Sequence, residues 1–221
     1  MIKRRSHTKE EIEGVRGCNE KAIAIAMGVE AMSRKRLMPF FNKITSEIIA
    51  LGKDNGVALD IGTGHGLLPV LLARKARNMK VIGLDPADAM LEVGRRNAAQ
   101  EKVGDRVSFQ KGEGKVLPFS DCTFDLVLTT NSFHHWDNPV GSLNEIARVL
   151  KRDGVFYMAD LRRNYLGLLP MIRLFRSLNI DSIRAAYTVE EICSLMSQTK
   201  LKTLDIKNSF LWIYLKAGKV V

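Results

Sequence analysis

Between positions 57 and 68 the chain reads Val-Ala-Leu-Asp-Ile-Gly-Thr-Gly-His-Gly-Leu-Leu, an apolar run that closes on an acid, followed by three glycines in alternate positions. Glycine at 62, 64 and 66 suits a chain that turns sharply and lets a ligand approach the backbone where a Cβ would collide. The stretch from Leu67 reads as a helix, whose first N–H groups can face an anionic group. A dinucleotide fingerprint would place its third glycine at position 67, which is leucine, so the spacing weighs against NAD or FAD. Asp85 closes the next apolar run, Val81–Leu84, at about the distance where an acid can accept hydrogen bonds from both hydroxyls of a ribose. Alone, such an acid is an N-cap for the helix that follows; paired with the glycine loop it makes a nucleoside site. Further on, Asn131-Ser132-Phe133-His134-His135-Trp136 follows an apolar run, at the strand end where open α/β sheets bind ligands. His134 and His135 are the candidates for a general base. The plainer alternative is that one packs and bonds locally while the other lines the pocket. No further His or Cys stands at ligand spacing, so no metal site is expected. Phe133 and Trp136 are candidates to wall an acceptor pocket, with Tyr165 and Tyr187 as packing residues.

The elements that must position these residues can be read from periodicity. Residues 1–56 carry helical signals: Thr8 and Glu11 form a capping box, Ile12, Val15, Ile23 and Met27 recur at near-helical intervals, and Pro39 is expected to break the chain into a second helix through Ile48 and Leu51. From 57 to 160, apolar runs at Val57–Ile61, Lys80–Leu84, Val107–Gln110, Phe124–Thr129 and Gly154–Ala159 alternate with helical stretches near 67–77, 87–100 and 139–151. Strands separated by helices form a parallel sheet. Residues 161–186 read as inserted helical material carrying Arg162, Arg163, Arg173, Arg176 and Arg184. Thr188 caps a last helix to about Ser197. The runs Leu201–Ile206 and Phe210–Leu215 have too short a connection for a parallel crossover and should form an antiparallel hairpin.

With 221 residues and 46% hydrophobic content the chain can bury a core without disulfides. No apolar run reaches the roughly 20 residues that a bilayer needs. Basic Met1–Arg5 is followed by Lys9, Glu10, Glu11 and Glu13 where a signal peptide would be apolar, so no export is expected. Three widely spaced cysteines read as reduced thiols, and the expected location is cytoplasmic. The net charge of +10 is uneven: residues 1–56 hold 11 basic against 7 acidic side chains, 57–160 hold 13 against 13, and 161–221 hold 10 against 4. Such flanks either keep the protein soluble or attract an acidic partner.

In order along the chain, Asp60-x-Gly-x-Gly-x-Gly, Asp85, Gly112-Glu113-Gly114 before Leu117-Pro118-Phe119, Phe124-Asp125-Leu126-Val127 and Glu145-x-x-Arg148-Val149-Leu150-Lys151 resemble the class I S-adenosylmethionine-dependent methyltransferases. The branch is the small-molecule domain related to ubiquinone and menaquinone biosynthesis enzymes, over roughly 57–160. The resemblance implies a Rossmann-like α/β fold, a seven-stranded, mostly parallel sheet of order 3-2-1-4-5-7-6 with helices on both faces. It implies that Gly62, Thr63, Gly64 and Gly66 pack beside the methionine part of S-adenosylmethionine, with Asp60 near its amino group and Asp85 on the ribose. Pro86 and Met90 would flank the adenine, Glu113 would bond its amino group, the Gly114 backbone would meet the ring, and Asn131 would reach the methionine end. Gly114-Lys115 and Lys151-Arg152-Asp153-Gly154 depart from the family pattern.

The sequence therefore reads as one domain, with residues 1–56 a helical cover, 57–160 the cofactor-binding core, 161–186 a helical insertion over the site and 187–221 the last helix and hairpin. The expected activity is methyl transfer from S-adenosylmethionine, leaving S-adenosylhomocysteine, to a small acceptor, with the basic flanks pointing to an acidic or polar one. Three alternatives stand beside it: a cofactor-binding module without turnover, a nucleotide-dependent oxidoreductase, disfavoured by Leu67, and a nucleic-acid methyltransferase. The last usually carries Asn/Asp-Pro-Pro-aromatic where this chain has Asn131-Ser132-Phe133-His134.

Overall fold

The computed structural model describes residues 15, 17–163, 180–209 and 211–220. The expected cap at Thr8, together with Ile12, Tyr165, Arg173 and Arg176, lies outside them. Seven strands form one sheet in the order β3-β2-β1-β4-β5-β7-β6. They are β1 (Asn55–Ile61), β2 (Asn78–Asp85), β3 (Val107–Lys111), β4 (Phe124–Thr130), β5 (Leu150–Leu161), β6 (Leu201–Asn208) and β7 (Trp212–Lys219). The first five pair parallel, and β7 runs antiparallel to both β5 and β6. The seven-stranded, mostly parallel fold of the sequence reading is thus the observed one.

The helices are α1 (Glu20–Ala50), α2 (Leu67–Lys75), α3 (Asp88–Gln100), α4 (Pro139–Val149), α5 (Ile180–Ala185) and α6 (Val189–Met196). Alternation along the central strands divides the core between the two sheet faces, because successive side chains point to opposite sides. Ala58, Leu126, Leu128 and Tyr157 pack with Phe40, Ile44 and Leu72 under α1 and α2. Leu59, Val127, Phe156 and Met158 pack with Leu143, Ile146 and Ile192 under α4 and α6. Strands covered on both faces read as nearly continuous apolar runs, as these do.

Two local readings need correction. Pro39 does not break the N-terminal helix, since α1 continues from Glu20 to Ala50 with Pro39 inside it. Pro39 and Lys35, whose carbonyl loses its partner, are both exposed, so water satisfies that group. Meanwhile Phe40, Phe41, Ile44 and Ile48 hold the second half against the sheet. Strand β5 begins at Leu150 rather than near Gly154, with a register shift that pairs Phe124 with Leu150 and Leu126 with Val155. Lys151 stabilises this irregular start by donating to both carboxylate oxygens of Asp125 at 2.9 Å. At the C-terminal side Thr188 caps α6 with a complete box, its hydroxyl accepting from Glu191 N–H while the Glu191 carboxylate accepts from Thr188 N–H.

Interior proline costs a helix about 3 kcal/mol relative to alanine, reduced by its stiffening of the unfolded chain. Pro39→Ala is therefore expected to stabilise the protein by about 1–2 kcal/mol in urea unfolding, whereas a proline needed to shape α1 would give a loss.

Candidate active site

A cavity of about 400 Å³ opens at the carboxyl ends of β1, β2 and β4, beneath α1. Its floor is the loop from Gly62 to Gly66. All three glycines have positive φ, 72°, 54° and 71°, a region that L side chains rarely adopt. Two are also fixed by crowding. A Cβ on Gly62 would lie 1.8 Å from Ser132 Oγ, and one on Gly66 would lie 2.5 Å from Phe109 Cζ. A Cβ on Gly64 would meet nothing within 4 Å, so the loop there borders open space.

Asp85 ties this loop to the end of β2. Its Oδ2 accepts from Gly64 N–H at 2.8 Å and its Oδ1 from Ala87 N–H at 2.9 Å. Burial pushes its pKa up, and the two amide bonds oppose that shift. Leu84 O accepts from both Gly62 N–H and Thr63 N–H, and Thr63 O from Gly66 N–H. The glycine loop thus satisfies most of its own amides internally, and the free donors expected from the sequence are confined to its end.

Asp60 is 1% exposed and does not line the cavity. Its Oδ2 accepts from the Thr63 hydroxyl at 2.8 Å, while Oδ1 is buried with no hydrogen-bond partner. Burial raises its pKa to about 7, the Thr63 bond acts against this, and the like charge of Asp85 adds to it.

Thr63, Pro86, Met90, Glu113, Gly114 and Asn131 all border the cavity with Asp85, Gly62 and Gly64, whereas Gly66, like Asp60, is not among its lining residues. Glu113 is exposed there and pairs with Lys115 at 2.6 Å. The loop that carries them is anchored by Glu145-x-x-Arg148 on α4. Arg148 bonds Glu145, Asp121 and the carbonyls of Leu117 and Phe119, and Glu145 Oε2 accepts from Leu117 N–H at 3.0 Å. The motif therefore shapes a cavity wall from behind. Asn131 has φ 50° and donates its N–H to Ala159 O at 2.9 Å.

The two histidines separate. His134 is 1% exposed and lies outside the cavity lining, with Nδ1 at 2.6 Å from Asp160 Oδ1 and its N–H donated to Asp160 Oδ2. His135, with its ring centroid 4.1 Å from that of His134, lines the cavity. Trp136 lines it too, donating Nε1–H to Ser132 Oγ at 3.3 Å, whereas Phe133 is buried against Trp136 and Tyr187. Phe133 is therefore a packing residue rather than a wall, because the turn over Phe133–His135 points it into the core. The sequence reading missed His65, Ser132 and the α1 residues Ser33, Leu37 and Phe41, which also line the cavity. For His65 the available signal was a polar side chain between two glycines of the loop. Nothing local marked the α1 residues, since their register over the loop is set by tertiary packing.

Residues 59–158 match the family model described as a methyltransferase domain. The chain is 39% identical over 102 residues to the uncharacterized methyltransferase YcgJ of Bacillus subtilis, covering 46% of this chain and 39% of that protein. It is 41% identical over 108 residues to a demethylmenaquinone methyltransferase of Symbiobacterium thermophilum, covering 48% of this chain and 43% of that one. The matches thus span well under half the length of these curated relatives. A structure titled as a putative S-adenosyl-L-methionine-dependent methyltransferase from Methanococcus maripaludis superposes with a TM-score of 0.73 at 21% identity, over 93% of this chain and 97% of that one, which shows that the two share a fold.

The Asp60 carboxylate yields a pH signature. The folded chain holds its proton up to about pH 7 while the unfolded chain releases it near pH 4, so this group lowers stability as pH rises between them. Asp60→Asn should unfold about 1–3 kcal/mol less readily than the parent at pH 8, with little gain at pH 4, in urea titrations at both pH values. A gain of the same size at both would mean that Asp60 is not protonated on folding.

Proposed function

We propose that the chain transfers a methyl group from S-adenosylmethionine to a small-molecule acceptor. The supporting observation is that one cavity joins a positive-φ glycine loop, left open at Gly64, to the Asp85 carboxylate. The residues fit the cofactor: Asp85 has a spare lone pair on each oxygen for the ribose hydroxyls, and Asp60 Oδ1, without a hydrogen-bond partner, is an open polar position behind the loop. In this reading Gly62, Thr63, Gly64 and Gly66 seat the methionine part, with Asp60 acting on its amino group through the loop. Pro86 and Met90 flank the adenine, Glu113 and Gly114 meet its edge, and Asn131 bounds the methionine end.

Bound S-adenosylmethionine supplies a methyl group on a cationic sulfur, open to direct displacement. The chain's part is to align the acceptor with that carbon and exclude water, for which orientation alone can provide much of the acceleration. The apolar side chains Leu37 and Phe41 of α1 face the cavity and would keep water from it. Of the two candidate bases, His135 lines the cavity and in this reading takes a proton from the acceptor, while His134, bonded to Asp160, holds the turn. The acidic acceptor suggested by the basic C-terminal part draws no support from the described arginines. Arg163 bonds Glu191 and Ala186 O, and no arginine is among the described lining residues. We read the chain as a single domain built on one sheet. A cytoplasmic location rests on the odd cysteine count, with Cys18, Cys122 and Cys193 exposed as free thiols. Among the described residues no helix is long and apolar enough to cross a membrane.

S-adenosylhomocysteine at a hundredfold excess over its Kd should stabilise the protein by about 2.7 kcal/mol. That corresponds to a Tm rise of roughly 5–10 °C, with no matching rise for NAD. Equal shifts with NAD, or none with S-adenosylhomocysteine, would refute the cofactor assignment. Asp85→Ala, which loses bonds to a charged acceptor, should weaken that binding at least about tenfold in calorimetry of a folded variant. Unchanged affinity would place the ribose elsewhere.

A further inference from the structure

The outward side of α1 is unlike the solvent face of an ordinary surface helix. Such a face is normally charged or polar, yet Ala22–Val29 runs Ala-Ile-Ala-Ile-Ala-Met-Gly-Val, without a charge. Only part of that run faces the protein: Ala22 and Ala26 are buried with Ala87, Ala89 and Val93. Ile25, Met27 and Met32 are 42%, 50% and 43% exposed, and Ala24, Gly28 and Ala31 are exposed between them. A Cβ on Gly28 would meet nothing within 4 Å, so this side of the helix borders open space.

Cations stand on the same side. Lys21, Ile25, Gly28, Met32, Lys35 and Pro39 recur at three- and four-residue intervals, which sets them in one row along the helix. All six are exposed, as is Arg36, one turn beyond Met32. Among the described residues Lys21, Lys35 and Arg36 make no ion pair. The acids of α1 do not offset them: Glu30 is held by Arg34 and Glu47 by Lys43, and Glu20 falls outside the row. The row is therefore apolar at its centre and positive at both ends.

We infer that this face of α1 docks on an anionic lipid bilayer. A bilayer offers hydrocarbon to Ile25 and Met32 and headgroup charge to Lys21, Lys35 and Arg36 at the same time. The convex surface of a single helix also needs no complementary groove to meet it. A second copy of the chain fits the apolar centre but not the ends, because pairing these helices in either direction sets lysine or arginine against a like charge. Nucleic acid fits the cations but leaves Ile25 and Met32 in water. The inward side of the same helix supplies Val29, Ser33, Leu37 and Phe41 to the cavity. Docking would therefore hold the cavity about one helix diameter, 10–12 Å, from the lipid.

The test is co-flotation of the full chain with vesicles of phosphatidylcholine alone and of phosphatidylcholine mixed with phosphatidylglycerol, at low and high salt. Beside the parent stand two double variants, Lys35→Glu with Arg36→Glu and Ile25→Ser with Met32→Ser, each shown folded by its thermal transition. None of these side chains lines the cavity. The parent should bind the mixed vesicles and not the neutral ones, more weakly at high salt. Each double variant should lower that binding at least about tenfold. No binding by the parent, equal binding to both kinds of vesicle, or a loss in fewer than both variants overturns the proposal. A loss in the charge variant alone means adsorption through net charge, which nucleic acid would share. Sedimentation velocity without vesicles reads the rival occupant: a dimer that Ile25→Ser with Met32→Ser dissociates assigns the face to a second copy and overturns bilayer docking.

Discussion

The carboxylate of Asp85 joins the two strand ends on which the cavity is built. One oxygen holds the Gly64 amide and the other holds Ala87, at the start of α3. The glycine loop and the turn after β2 are thereby fixed to each other through one side chain. The loop can take that position because Gly62, Gly64 and Gly66 all adopt positive φ, and because Ser132 and Phe109 fill the space their side chains would need. Without the clasp, a loop with three left-handed residues would have many alternatives of similar energy.

Charge is distributed differently at the cavity and away from it. Away from the cavity, several carboxylates are matched by cations. Glu145 is drawn well below its usual range by Arg148, and Asp125 is brought down by Lys151 and Val57 N–H against the upward push of burial. At the glycine loop, Asp60 and Asp85 are buried without an ion pair among the described residues, and both are pushed up. Ionising two desolvated acids so close together is costly, and a positively charged ligand group would favour their charged forms. That is an arrangement costly to the free protein, and it is supported by packing elsewhere: the continuous cores on both sheet faces hold the strands whose ends carry these acids.

Two more polar fixings complete the frame. Glu145 and Arg148 hold the loop from Leu117 to Asp121, next to the wall formed by Gly112 to Lys115. Asp160 holds the turn that carries His134 and His135 by accepting from the His134 N–H and ring. In each case a buried or half-buried acid at a strand or helix end is matched to main-chain donors, so a loop is positioned without a regular ladder of its own.

The parallel alternation, the hairpin and the Thr188 cap were legible because each depends on local chemistry, whereas the strand order came with the family resemblance. Apolar runs separated by helices require parallel crossovers, the short connection Lys207-Asn208-Ser209 requires an antiparallel pair, and Thr188 with Glu191 can cap only the helix that follows them. The glycine loop and Asp85 were legible for the same reason, since backbone strain and a strand-end acid leave marks at fixed spacing. Tertiary structure decided what local chemistry leaves open. Pro39 stays inside a helix because its lost bond faces water while Phe40 and Phe41 bury beneath it. Neighbouring histidines take opposite fates, since Asp160, 26 residues away in sequence, claims His134 and leaves His135 to the cavity. His65 acquires its place only when α1 and the Asn97 side chain close over the loop. A sequence specifies which groups can strain, cap or bond; which partner each one finds is fixed by the packing that brings distant segments into contact.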